Sequence, residues 1–102
     1  MVKIMVVGKA LPHKFNELIK NYMSTNKPAY PDFLKKVENW VAQVTDDKHK
    51  TYAVYESPDD KIIESMAALT KRYLFYASVE GYTFKIELLG EADEALKIML
   101  GK

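Results

Sequence analysis

Hydrophobic residues along this chain recur at two spacings, every second residue and every third or fourth, and the switches between them mark out the elements. Val2 to Lys9 (VKIMVVGK) is β-branched and almost continuously apolar, which predicts a central strand buried on both faces. Gly8 permits a bend, and Pro12 can open a helix at its first turn. Phe15, Leu18, Ile19 and Tyr22 then share one helical face, with Lys14, Glu17, Lys20 and Asn21 on the other. Ser24 to Pro31 (STNKPAYP) is a long connection carrying two prolines, with room for a helical turn over Asp32 to Lys36.

Val37 to Thr45 (VENWVAQVT) alternates, with Trp40, Ala42 and Val44 set against Asn39, Val41 and Gln43, and predicts a strand with one apolar face. Asp46, Asp47 and Lys48 make a polar turn. Lys50 to Ser57 (KTYAVYES) returns as a strand that is apolar in both parities, closing a hairpin. Ser57-Pro58-Asp59-Asp60 predicts a helix start, with a hydroxyl to cap, proline in the first turn and two carboxylates opposing the dipole. Ile62, Ile63, Met66, Leu69, Tyr73 and Tyr76 form the stripe expected to be buried in that second helix. Beyond Gly81, Tyr82, Phe84, Ile86 and Leu88 alternate with Thr83, Lys85 and Glu87 in a one-sided strand. Gly90 ends it, and Glu91 to Leu100 reads as a short terminal helix.

The order β-α-β-β-α-β plus a tail helix predicts the α+β class and a ferredoxin-like fold. That means one domain over residues 1–102, a four-stranded antiparallel sheet and both main helices on one face. The strands apolar in both parities, the first and third, belong in the centre. The alternation puts Val2, Ile4, Val6, Trp40, Ala42, Val44, Tyr82, Phe84, Ile86 and Leu88 under the helices. Lys3, Met5, Val7, Asn39, Val41, Gln43, Thr83, Lys85 and Glu87 then face outward. From the third strand either Tyr52 with Val54 or Ala53 with Tyr55 joins them; the pattern does not choose. The middle of the open face thus holds Met5, Val7, Val41 and a tyrosine, an apolar patch that calls for a partner or ligand.

This arrangement, the length and the mixed but apolar open sheet resemble the dimeric α/β-barrel superfamily. The strand–turn–strand–helix run from Trp40 to Tyr73 (W-V-A-Q-V…Y-A-V-Y-E-S-P-D-D) is similar to small bacterial and archaeal members of it. The resemblance implies a homodimer that packs sheet to sheet around a cavity. It carries no catalytic signature.

Charge and composition narrow the partners. The chain has 102 residues, 15 basic and 14 acidic, for a formal charge of +1 and little long-range attraction to nucleic acid or anionic membrane. Fourteen of the 15 basic residues are lysine; Arg72 alone offers the planar fork suited to phosphates and bases. The absence of cysteine excludes thiol catalysis, Fe–S clusters and cysteine zinc sites. The five-residue apolar run within Met1 to Ala10 is short for a signal peptide and no stretch matches a membrane span, so the expected location is the cytoplasm. Lys50 to Ser57 partly matches an RNA-recognition strand, but Thr51 replaces the glycine, Val54 and Ser57 replace stacking rings, and Met5 stands where the first strand should offer one. Acylphosphatase chemistry needs an arginine in the first loop, where Gly8 to His13 has only Lys9.

Few residues carry candidate chemistry. His13, just after the first strand, is either an acid–base group at a barrel mouth or a solvated helix-end histidine. His49 in the hairpin reads as solvated, and two isolated histidines predict no metal site and no cofactor. Asp46-Asp47 is turn chemistry. Trp40 reads as core packing. Lys85 and Glu87 are a chemical pair if enclosed and a defence against edge aggregation if not. The expected function is binding or sensing of a small apolar molecule by a homodimer, with Met5, Val7, His13, Val41, Tyr52 and Lys85 lining the sheet–sheet cavity. The alternative, which the resemblance to the dimeric α/β-barrel superfamily implies as possible, is a cofactor-independent monooxygenase-like enzyme.

Overall fold

In a computed structural model the backbone is described for residues 1–45, 48–91, 93 and 100, and the side chains for the same residues apart from 43–45. Four strands and two helices are present: β1 (Val2–Ala10), α1 (Phe15–Met23), β2 (Lys35–Thr45), β3 (Lys48–Ser57), α2 (Ile62–Tyr76) and β4 (Thr83–Leu89). Short 3-10 turns, Pro12–Lys14 and Asp59–Lys61, lead into the helices. The terminal helix expected over Glu91 to Leu100 lies almost wholly outside the described residues.

The strands form one open sheet in the order β2-β3-β1-β4, and every neighbouring pair is antiparallel. β1 and β3, the strands apolar in both parities, stand in its centre. Ile4, Val6 and Ala10 of β1 and Ala53 and Tyr55 of β3 point to one side. There they join Leu18 of α1 and Leu69, Tyr73 and Tyr76 of α2 in a single core. This settles the parity of β3: Ala53 and Tyr55 go inward, Tyr52 and Val54 outward. Gly8 of β1 is buried close to Tyr82 and Thr51. A Cβ there would fall on the Tyr82 hydroxyl and come within 2.7 Å of Thr51 Oγ1, so the strand needs a residue with no side chain.

β2 reverses its expected orientation. Asn39 lies opposite Ala53 and Trp40 opposite Tyr52, so Asn39 and Val41 face the helix side, and Trp40 and Ala42 take the open face. The pairing register shifts between Lys36 and Glu38, and such a slip exchanges the two faces of every residue beyond it. Trp40, expected in the core, is 63% exposed, and Val41 sits on the opposite face from Met5 and Val7. β2 is an edge strand that no helix covers closely, so burial imposes little on which parity is apolar.

Other local expectations fail for stated reasons. Ser57 does not cap α2; its hydroxyl is fully buried and meets Ser65 Oγ at 2.6 Å, while Pro58 stands at the cap of the 3-10 turn. Ile63 is 82% exposed, because the 3-10 turn sets the helical phase so that Ser65, Leu69, Arg72, Tyr73 and Tyr76 face inward. Leu88, near the end of the β4 edge strand, is exposed too. His49 belongs to β3 opposite Ala10, half-buried with its ring 4.6 Å from that of Phe15. The segment over 24–34 is no loose connection: Leu34 is buried, and Tyr30 and Phe33 pack on the core.

Candidate functional site

The helix side of the sheet is incompletely filled. α1 is short, and only Leu18 of its residues is buried, while Ile19 and Tyr22 stay 45% and 41% exposed. Between this helix and the β2–β3 half of the sheet lies a cleft of about 310 Å3. That volume is at the small end of ligand pockets, enough for a one- or two-ring molecule. Phe15, Leu18, Ile19 and Tyr22 form its roof, and Asn39, Val41 and Thr51 form part of its floor. Tyr30, Tyr73, Tyr76 and Tyr82 close the inner wall, so that five of the chain's seven tyrosines line one space.

Those tyrosines are wired in place. The Tyr55 hydroxyl lies 2.6 Å from the Tyr30 hydroxyl and 2.8 Å from that of Tyr73, a buried three-member chain. Tyr82 bonds Thr51 across the Gly8 gap. Arg72, buried on α2, donates from Nε to the Tyr76 hydroxyl at 3.0 Å and from Nη1 to the Pro28 carbonyl at 2.7 Å. Its guanidinium also lies 4.2 Å from the centre of the Tyr30 ring, a cation–π contact. The lone arginine therefore ties the 24–34 segment to α2 and fixes two walls of the cleft.

Burial pushes the hydroxyls of Tyr55, Tyr73 and Tyr82 far above the ordinary tyrosine value, and raises Tyr30 as well. They stay protonated at any physiological pH. Among the described residues no buried side-chain oxygen or nitrogen lacks a hydrogen-bond partner. The inner wall therefore presents ring faces and edges rather than unsatisfied polar atoms. Tyr22 at the mouth is the exception. The hydrogen bond from Lys36, with Nζ at 3.3 Å from the hydroxyl, and the charge of that ammonium lower its pKa. We expect Tyr22 to ionise before Tyr30, Tyr55, Tyr73 and Tyr82 in a native-state titration followed by tyrosinate absorbance, and its transition to move to higher pH in Lys36→Met.

The six residues expected to share one cavity do not. Met5, Val7, Tyr52 and Lys85 border a hollow on the open face of the sheet, together with Lys9 and Glu87. Val41 lines the cleft on the other side, through the reversal of β2. His13 is exposed in the 3-10 turn and lines neither space. Lys85 Nζ lies 3.7 Å from Glu87 Oε1 along the same strand and is 73% exposed, so this pair sits in water in the single chain. His13 and Lys85, the candidate acid–base groups, thus belong to different parts of the molecule. Sequence reasoning missed Arg72, Tyr30 and Tyr82 as site residues. The helical spacing of Leu69, Arg72, Tyr73 and Tyr76 was the available signal for the first.

Comparison of the sequence with protein-family models and with curated proteins finds no match. The geometry alone speaks to function. Among the described residues there is no group of acidic or histidine side chains able to hold a metal ion, and no helix long and apolar enough to cross a membrane.

Proposed function

We propose that this chain is a binding module for a small, largely apolar molecule, and that the molecule sits in the tyrosine-lined cleft under α1 rather than between two sheets. The observation that carries the reading is the cleft itself. Its inner wall is built of four fixed tyrosine rings whose hydroxyls are spoken for or at the edge, and its roof is a helix with little else to pack on. Such a preformed aromatic space offers stacking and edge contacts at little cost in ordering. The test uses a neutral probe, naphthalene-methanol, followed by tyrosine fluorescence. Saturable one-to-one binding is expected, weakened by about tenfold or more in Ile19→Trp, whose indole fills the mouth. Unchanged affinity in that variant refutes the cleft, as does loss of binding in Trp40→Ser on the opposite face.

We further propose that the fold is ferredoxin-like and that two copies pair through the open faces of their sheets. The strand order β2-β3-β1-β4, with Leu18 of α1 and Leu69 of α2 in one core, supports the first part. Cross-strand register supports the second, because Trp40, Tyr52 and Val7 stand side by side, with Val54 and Met5 in the next row. A two-fold axis across the strands, between these rows, sets Lys85 of one copy against Glu87 of the other and Lys50 against Glu56, although Lys3 then meets Lys9. Light scattering at micromolar concentration is expected to give twice the chain mass, and the chain mass for Val7→Lys. A monomeric native protein refutes the pairing and leaves the cleft untouched.

A further inference from the structure

Resting on the cleft reading above, we infer that its ligand is a small aromatic monoanion, an aryl carboxylate whose ring enters the tyrosine-lined space and whose charge stays at the mouth. Three observations converge. Among the described residues lining the cleft, Lys36 carries the only charge, and no carboxylate faces the space. A second cation, Lys27, stands beside the same mouth: its ammonium lies 4.7 Å from the centre of the Tyr22 ring and that of Lys36 lies 5.2 Å from it. Neither lysine has a carboxylate partner among the described residues. Lys27 donates to the Tyr22 carbonyl and Lys36 to the Tyr22 hydroxyl, which are neutral acceptors.

Two cations drawn to one ring repel each other, and cation–π contacts alone offset that weakly at a partly exposed site. An anion placed between Lys36 and the Tyr22 hydroxyl would offset the repulsion between the two ammonium groups and take charge-assisted bonds from Lys36 and from the hydroxyl. The Asn39 amide, on the cleft floor, can supply a further donor. The walls behind are aromatic and apolar, so the rest of the ligand must be a ring rather than a sugar or a second charged group. A phosphate ester is the poorer fit, because the one arginine is committed to Pro28 and Tyr76.

The experiment titrates naphthalene-carboxylate and naphthalene-methanol, which share a ring system, into the full chain and into Lys36→Met and Lys36→Arg. The carboxylate is expected to bind about tenfold or more tighter than the alcohol, and to weaken with added salt. In Lys36→Met the two affinities should converge, so that the preference for the carboxylate disappears; Lys36→Arg should retain it. Equal affinities in the native protein, or a preference that survives Lys36→Met, overturn the anion and leave the cleft standing. Failure of both probes to bind overturns the two together.

Discussion

Replacing Arg72 by methionine is expected to cost about 2–4 kcal/mol of folding stability, a large share of what a domain of this size possesses. The side chain is 6% exposed and its loss strands the buried Tyr76 hydroxyl and the half-buried Pro28 carbonyl, while removing the cation from the Tyr30 ring. Lysine should rescue little, since a single ammonium cannot reproduce the two directed bonds of the fork together with the stacked plane. The same variant should weaken occupancy of the cleft, because Tyr30 and Tyr76 form its walls. Chemical denaturation provides the measurement, and a loss below about 0.5 kcal/mol would show that the 24–34 segment is held by other contacts.

Alkaline pH should unfold the protein steeply. Tyr55, Tyr73 and Tyr82 keep their protons in the fold well above 10.0, the value at which they titrate in an unfolded chain. A raised acid gives its full stabilisation below the unfolded pKa. Above it the unfolded state releases protons and the native state does not, so stability falls as pH rises past about 10. Each group contributes about 1.4 kcal/mol per pH unit there, so the three together give a slope of about 4 kcal/mol per unit. Tyr22 acts with the opposite sign, its lowered pKa favouring the native state at high pH, but it is one exposed group against several buried ones. Denaturant midpoints measured across a pH series report the slope. Tyr55→Phe should reduce it by one proton's worth and, at neutral pH, cost about 1–3 kcal/mol by leaving the Tyr30 and Tyr73 hydroxyls without their shared partner. A flat profile past pH 10 would mean that these hydroxyls are hydrated in the fold.

The open face of the sheet and the cleft under α1 make different demands on a partner. The first is broad and mixes apolar residues with the Lys85–Glu87 pair, and so suits another protein surface. The second is narrow and aromatic and suits a small molecule. The proposed assembly and the proposed ligand binding can therefore be tested separately, and variants on β2 address each by parity: Trp40 for the open face, Asn39 and Val41 for the cleft.

Sequence by itself determined the α+β class, the four strands and the two helices, because each has a period or a pair of breakers that local physics reads directly. The continuous apolar run of β1, the alternation from Thr83 onward and the Ser57-Pro58-Asp59-Asp60 boundary are of this kind. It also marked the open face as apolar, through Met5 and Val7. What it left to tertiary structure was every choice that depends on a second element. The face taken by β2 follows from its register with β3, so an alternation in which both parities carry apolar residues misleads there. The 24–34 segment looks like a connection because it has no period, yet Arg72, 44 residues away from Pro28, binds it to the core. The tyrosine cleft has no motif at all. Its rings come from α1, the long segment, α2 and the residue before β4, and only the gap left by a short helix over a wide sheet brings them around one space.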